Sequence, residues 1–154
     1  MDRSSYNLFW FLILLGLTTL PFVSCLPSTN SDSYKVSRAR MVKTDIENRG
    51  IHDHAVKEAM LKVPRHLFVG PENIEAAYSD SALPIKENQT ISQPYVVALM
   101  TTVAELNSTD KVLEVGTGSG YQAAVLGEIV REVYSIEIIE TLARESSELL
   151  NKLG

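Results

Sequence analysis

The residues best suited to chemistry form a glycine-rich stretch that follows an apolar run. Residues 114–120 read EVGTGSG, and residues 112–115 have the apolar character of a buried strand. Glycines leave the backbone bare, so that a ligand can approach the carboxyl end of a strand closely. We interpret Gly116, Gly118 and Gly120 as a loop that binds a nucleoside cofactor; a tight turn without function is the alternative.

Two acidic residues favour one class of cofactor. The spacing G-x-G-x-G places its third glycine one residue earlier than the dinucleotide fingerprint G-x-G-x-x-G does. S-adenosylmethionine carries a sulfonium and an ammonium cation instead of a pyrophosphate, and Glu114 suits such cations. Glu137, at the end of the next predicted strand, is placed to accept hydrogen bonds from both ribose hydroxyls, or else is a solvated strand terminus. An NAD-dependent oxidoreductase is the less favoured interpretation.

Ser92 is a second candidate for chemistry. It precedes Gln93 and Pro94, a pair typical of a helix start, and apolar residues at helical spacing follow toward Leu106. A serine here can cap the helix by accepting a hydrogen bond from a backbone amide, or it can orient a bound carboxylate. From these residues alone, the cap is the simpler interpretation.

The predicted elements alternate in a way that would hold these residues together. A strand over 112–115 is followed by helix 121–130, strand 132–137 and helix 140–153. This order predicts parallel strands joined by right-handed crossovers, the beginning of a doubly wound α/β sheet. Helices over 37–49 and from Asp53 to 63 form an N-terminal helical appendage, and residues 65–84 form a loop-rich cover with a short helix near 73–78.

Several segments between residue 40 and residue 154 resemble one family, the protein-L-isoaspartate O-methyltransferases of bacterial type, in their N-terminal portion. The glycine loop alone is typical of many methyltransferases, whereas the segment QTISQP at 89–94 distinguishes this family. The matching segments are MVKTDIENRGI at 41–51, VPRHLFV at 63–69, AYSDSALPI at 77–85, QTISQPYVVALM at 89–100, VLEVGTGSGYQAAVL at 112–126 and VYSIEI at 133–138.

The resemblance implies a fold, a reaction and a set of site residues. It implies a Rossmann-like methyltransferase fold and S-adenosylmethionine as the methyl donor. The implied reaction methylates the free α-carboxylate of L-isoaspartyl residues in damaged proteins or peptides. The ester then closes to a succinimide, whose hydrolysis completes the repair. By the same resemblance Ser92 is the catalytic residue, and we expect a monomer. The cofactor-binding residues are expected to be Thr90, Ile91, Gln93, Glu114, Gly116, Gly118, Ser119, Gly120, Glu137 and Ile138.

Members of the family continue with further strands beyond the point that corresponds to Gly154. We therefore expect residues 37–154 to be a partial methyltransferase domain whose two strands leave a sheet edge open and apolar surface uncovered. An inactive truncated fragment of the family is the alternative to an active enzyme.

The first 25 residues are interpreted as a signal peptide. The apolar run at 8–20 is shorter than the roughly 20 residues that a membrane-spanning helix needs. Residues 22–25, FVSC, resemble a bacterial lipobox in which Cys25 would carry the lipid; cleavage after Cys25 and an uncleaved anchor are the alternatives. We expect a linker at 26–36 and export to the periplasm or a membrane-anchored lipoprotein, with a cytoplasmic protein as the alternative.

Composition excludes several other classes. The net charge is −5 and no Lys/Arg cluster occurs, which argues against a nucleic-acid-binding surface. Cys25 is the single cysteine, so no disulfide framework can form within the chain. Because His52, His54 and His66 lack the spacing of metal ligands, we expect surface histidines and no metal site.

Overall fold

The computed structural model describes the backbone from Thr29 to Gly154 and the side chains from Ser33 onward. The predicted signal peptide at 1–25 lies outside these described residues and stays a prediction. Nine helices and strands follow along the described chain, with short helical turns between several of them. No helix in the described part is both long enough and apolar enough to cross a membrane.

Helix α1 (Thr29–Met41) begins earlier than the sequence predicts. The helix start predicted at residue 37 is therefore corrected to Thr29, and the linker at 26–36 stays a prediction as a domain boundary. Tyr34 lies within this stretch, and its ring stacks on His66 with centroids 4.1 Å apart. Most helical stability comes from tertiary packing rather than from propensity. A polar sequence can thus be helical where one of its side chains finds such a contact.

The N-terminal appendage continues through a π-helical turn at Val42–Ile46 and a 3-10 turn at Glu47–Arg49, which ends at Gly50. Helix α2 (His54–Lys62) then begins as predicted, with the Asp53 side chain accepting a hydrogen bond of 3.0 Å from the Val56 amide. Burial of the apolar faces of these elements joins the appendage to one hydrophobic core with the rest of the described chain.

A loop-rich segment separates the appendage from the sheet. It has 3-10 turns at Arg65–Leu67 and Pro71–Asn73, and turns replace the short helix predicted near 73–78. Strands β1 (Leu83–Pro84) and β2 (Thr90–Ile91) then pair antiparallel. The sequence does not indicate these two strands, because strands of two residues are too short to show an alternating pattern.

The remaining elements confirm the predicted α/β order. Helix α3 (Pro94–Val103) leads to strand β3 (Lys111–Val115), helix α4 (Tyr121–Gly127), strand β4 (Glu132–Ile136) and helix α5 (Glu140–Leu153). Strands β3 and β4 are parallel, with Lys111 opposite Glu132 and Val115 opposite Ile136. The carboxyl ends of both strands therefore meet at one edge of the sheet.

Large apolar side chains of this sheet stay exposed. The exposed fraction is 61% for Leu113, 78% for Val115, and 55% for both Tyr134 and Ile136. The uncovered apolar surface expected from a two-stranded sheet is thus present in the described chain. The core lies on the other side of the strands, where α3 and α4 pack against the N-terminal appendage.

Candidate functional site

The glycine loop joins the ends of the two parallel strands. The Gly116 amide donates a hydrogen bond of 2.7 Å to the Ile136 carbonyl, and the Gly120 amide donates one of 2.8 Å to the Thr117 carbonyl. Gly116, Gly118 and Gly120 have φ values of 95°, 54° and 85°. L-residues with a side chain rarely adopt these left-handed angles, so the three glycines are needed for the course of the backbone.

The three glycines of the loop differ in the space that surrounds them, and this difference indicates different roles. A Cβ atom added at Gly116 would meet no atom within 4 Å, and one at Gly118 would meet only Ile85, at 3.8 Å. A Cβ atom at Gly120 would lie 3.3 Å from side-chain atoms of Ser146 and Leu150 on α5. Gly116 therefore faces open space that a ligand can use, whereas Gly120 allows α5 to pack closely against the loop.

Glu137 fastens the loop to the end of β4. Its Oε2 accepts a hydrogen bond of 2.8 Å from the Gly118 amide, and its Oε1 accepts one of 2.9 Å from the Ile139 amide. The amides of Ile139 and Gly118 hold the pKa of Glu137 below its ordinary value. The carboxylate stays ionised, and each oxygen keeps a second lone pair for a ligand hydroxyl.

Glu114 accepts a hydrogen bond from a pair of linked hydroxyl groups, Thr117 and Ser135, that sequence reasoning did not identify. The Thr117 and Ser135 hydroxyl oxygens lie 2.5 Å apart, and the Ser135 hydroxyl donates to Glu114 Oε2. Burial raises the pKa of Glu114; the Ser135 hydrogen bond opposes this rise and the charge of Glu137 adds to it. The register of the two strands, which places Ser135 opposite Glu114, would have indicated this hydrogen-bonded pair of hydroxyl groups.

The two carboxylates predict opposite pH dependences of stability. A raised folded-state pKa means that Glu114 loses stabilisation as the pH rises through that pKa, whereas the lowered pKa of Glu137 gives stabilisation that is lost as the pH falls through it. Urea unfolding at about pH 7 and about pH 3, the lower value well below the usual glutamate pKa near 4.3, separates the two effects. Relative to wild type, Glu114→Gln should gain in unfolding free energy between about pH 3 and about pH 7, and Glu137→Gln should lose. A shift in the same direction for both variants would contradict the assignment.

The serine segment (residues 89–95, around Ser92) and the glycine loop (residues 116–120) line one cavity. Thr90, Ile91 and Ser92 line it together with Glu114, Gly116, Thr117, Gly118 and Ser119, and Val97, Tyr121 and Gln122 complete it. A second cavity shares Ser92, Glu114, Gly116 and Gln122 with the first. The structure thus brings together seven of the predicted site residues. Thr117, Tyr121 and Gln122 were missed, although all three lie in or directly after the glycine motif.

The other predicted site residues lie outside this cavity. Gln93 donates from Nε2 to Asp80 Oδ2 over 2.6 Å, so its side chain turns toward the loop-rich segment. Glu137 lines a neighbouring cavity with Thr117 and Ser135. Ile138 is 96% exposed. Gly120 is buried against α5. Their roles as cofactor contacts stay predictions.

Ser92 does not cap helix α3. The N-cap position belongs to Gln93, whose side chain makes no capping hydrogen bond. The exposed Ser92 side chain is without a hydrogen bond among the described residues, while its carbonyl accepts one of 2.8 Å from Arg65 Nη2. The hydroxyl is therefore available to a ligand. In the described chain no three His, Cys, Asp or Glu side chains gather as a metal site requires.

Comparison with known proteins gives a consistent family. Residues 36–154 match the family model described as Protein-L-isoaspartate(D-aspartate) O-methyltransferase. Protein-L-isoaspartate O-methyltransferase 2 of Shewanella sediminis is 49% identical over 147 residues, which cover 93% of this chain and 60% of that protein. Protein-L-isoaspartate O-methyltransferase 1 of Syntrophobacter fumaroxidans is 56% identical over 122 residues, covering 79% and 57%. The chain thus spans 57–60% of the length of these curated relatives.

Solved structures confirm the predicted fold class. One protein-L-isoaspartate O-methyltransferase superposes with a TM-score of 0.69 at 27% identity, over 76% of this chain and 39% of that chain. A putative protein-L-isoaspartate O-methyltransferase from Plasmodium falciparum, in complex with S-adenosyl-L-homocysteine, gives a TM-score of 0.61 at 25% identity, over 75% and 55%. The family that the sequence motifs indicated is confirmed, and the chain belongs to the protein-L-isoaspartate(D-aspartate) O-methyltransferase family.

Proposed function

We propose that the protein transfers a methyl group from S-adenosylmethionine to the free α-carboxylate of L-isoaspartyl residues in damaged proteins and peptides. One observation carries the proposal: the exposed Ser92 and the bare backbone of Gly116 line the same cavity. A donor and an acceptor of a methyl group must meet within contact distance, and a shared cavity allows this. Family membership supports the reaction class.

The residues present fit S-adenosylmethionine. This cosubstrate supplies a methyl group on a sulfonium cation. Gly116 would allow the close approach of a nucleoside because its surroundings are open. Glu114, in the same cavity, would attract the positive charge, and the ionised Glu137 would accept hydrogen bonds from ribose hydroxyls. The relative from Plasmodium falciparum binds the demethylated product, S-adenosyl-L-homocysteine, which supports the same cosubstrate here.

The acceptor needs positioning more than it needs a base. An α-carboxyl group has a pKa of about 3.5, so it is already ionised at neutral pH. One carboxylate oxygen forms a bond to the methyl carbon as the carbon–sulfur bond breaks, and no proton has to move. The Ser92 hydroxyl would donate a hydrogen bond to this carboxylate and hold it in line.

The binding test compares two cofactor classes. Calorimetric titration of the intact protein with S-adenosylhomocysteine should give saturable binding, whereas NAD should give none under the same conditions. Selective NAD binding would favour the oxidoreductase alternative instead. The test of the reaction itself is transfer of labelled methyl to an isoaspartyl peptide, with its aspartyl isomer as the matched control.

A further inference from the structure

A buried guanidinium contacts both Ser92 and Tyr121, two residues that line the cavity. Arg65 has an exposed fraction of 0%. Its Nε donates a hydrogen bond of 2.9 Å to the Ala77 carbonyl, and its Nη2 donates one of 2.8 Å to the Ser92 carbonyl. Its Cζ lies 4.7 Å from the centroid of the Tyr121 ring. One side chain thus contacts both the serine segment and the residue that follows the glycine loop.

The Tyr121 ring is a fixed support for this cation. Tyr121 is the first residue of α4, directly after Gly120, and its exposed fraction is 1%. Burial raises the pKa of Tyr121 to about 12, so the ring stays neutral at physiological pH. Phe68 packs edge-on against it with centroids 5.4 Å apart. The cation and the ring therefore link the serine segment to the start of α4.

A second support holds the serine segment from its other side. The two carboxylate oxygens of Asp80 accept hydrogen bonds from Gln93 Nε2 at 2.6 Å and from the Tyr95 amide at 3.0 Å. Arg49 Nη1 lies 2.5 Å from the same carboxylate, and its Cζ lies 3.5 Å from the Tyr95 ring centroid. The backbone that follows Ser92 is thereby fixed, while the Ser92 side chain stays exposed.

Arg65 is a costly residue if its role is only to fill the core. Among the described residues it makes no ion pair, and its buried Nη1 has no hydrogen-bond partner. Burying a charge without a direct ion pair costs free energy, and an apolar side chain of similar size often packs as well or better. What an apolar residue lacks is the rigid fork of donors that reaches two carbonyl groups at once.

We propose that Arg65 is the positioning residue that holds Ser92 in place over the glycine loop. This inference rests on the proposed function, which gives Ser92 the task of orienting the substrate carboxylate. Arg65 acts through the Ser92 backbone and does not touch the substrate itself. Loss of its hydrogen bond to the Ser92 carbonyl should therefore weaken methyl transfer and leave the binding of S-adenosylhomocysteine almost unchanged.

The test uses Arg65→Lys and Arg65→Met in the intact protein. Ile46→Ala, in the buried N-terminal appendage, is the control for loss of stability without contact to Ser92. Misplacing a reacting group by about 1 Å can lower the rate by roughly 100-fold. We expect kcat/KM for an isoaspartyl peptide to fall by about that factor in both Arg65 variants, with the Kd for S-adenosylhomocysteine within about threefold of wild type. Lysine should not rescue activity, because an ammonium group lacks the fork geometry.

Hydrogen exchange supplies a readout that does not depend on activity. The amides of Tyr95 and Val97, which bond to Asp80 and to the Gln93 carbonyl, should exchange faster in the Arg65 variants than in Ile46→Ala. The Gly118 amide should keep its protection in all three variants. Equal exchange at Tyr95 and Val97 in all three variants would overturn the positioning role.

The two proposals fail in different ways. If the wild-type protein methylates the isoaspartyl peptide but the Arg65 variants match Ile46→Ala in kcat/KM, the role of Arg65 is overturned and the proposed function stands. If the wild-type protein transfers no methyl group, the proposed function fails, and the exchange rates at Tyr95 and Val97 still decide whether Arg65 holds the serine segment.

Discussion

Replacing Gly116 with leucine should abolish cofactor binding at concentrations that saturate the wild-type protein. The added side chain would project into the open space beside the loop, where a Cβ atom meets nothing within 4 Å. A nucleoside that relies on the bare backbone would then be excluded. We expect the affinity for S-adenosylhomocysteine to fall by at least about 100-fold, which is a loss of roughly 3 kcal/mol. Calorimetric titration measures this effect directly.

The control for Gly116→Leu is Gly50→Leu. Gly50 has a φ of 97°, close to the 95° of Gly116, and a Cβ atom there also meets nothing within 4 Å. Both substitutions place a side chain in a left-handed conformation, at a cost of about 1–2 kcal/mol each. Gly50 lies in the N-terminal appendage, so Gly50→Leu should bind S-adenosylhomocysteine within about twofold of wild type. Equal loss of affinity in both variants would indicate that strain, and not the filled space, is responsible.

Replacing Ser92 with alanine should lower methyl transfer without lowering stability. The Ser92 hydroxyl makes no hydrogen bond among the described residues, and Gln93 occupies the N-cap of α3. Removing the hydroxyl therefore removes no contact of the fold. Loss of one hydrogen bond to a charged group is worth about 1.5–3 kcal/mol, so kcat/KM for an isoaspartyl peptide should fall roughly 10- to 100-fold.

Two measurements and one control variant accompany the Ser92→Ala assay. The urea midpoint and the Kd for S-adenosylhomocysteine should both stay close to the wild-type values. Ser108→Ala is the matched control, because Ser108 is exposed in the turn before β3 and outside the cavity. Unchanged kcat/KM in Ser92→Ala would remove Ser92 from the site, and a large drop in the urea midpoint would show that the hydroxyl has a role in folding.

The parts of the fold that were predictable from sequence are those whose signal is local. Strand β3, the glycine loop and α4 follow one another within a short stretch, and each has its own pattern of apolar residues or glycines. Asp53 indicates the start of α2 in the same way, because an N-cap side chain accepts a hydrogen bond from an amide only three residues ahead. Local patterns of this kind need no knowledge of the tertiary structure.

The parts that were missed depend on contacts between distant residues. Helix α1 begins earlier than predicted, and its Tyr34 stacks on His66. No feature of the sequence near Tyr34 indicates that partner. Arg65 meets the Ser92 carbonyl from 27 residues away, and Asp80 meets the Tyr95 amide from 15 residues away. Long-range pairs such as these are decided by how the elements pack.

The same contrast between local patterns and long-range contacts applies to the candidate site. The motif predicts Gly116, Gly118 and Glu114 as site residues because their chemistry is evident from residue type and spacing. It did not reveal that the Gln93 side-chain amide donates a hydrogen bond to Asp80, since that bond depends on where the loop-rich segment lies. Nor did it distinguish Gly116, which faces open space, from Gly120, which packs against α5.

The most direct test of the central claim is methyl transfer to a pair of peptides that differ only in one linkage. The intact protein is incubated with S-adenosylmethionine labelled in its methyl group, and the label is measured in an L-isoaspartyl peptide and in its L-aspartyl isomer. We predict saturable incorporation into the isoaspartyl peptide, as a base-labile methyl ester, and only background in the aspartyl isomer. Equal incorporation into both peptides, or no incorporation into either by a protein that binds S-adenosylhomocysteine, would contradict the proposed function.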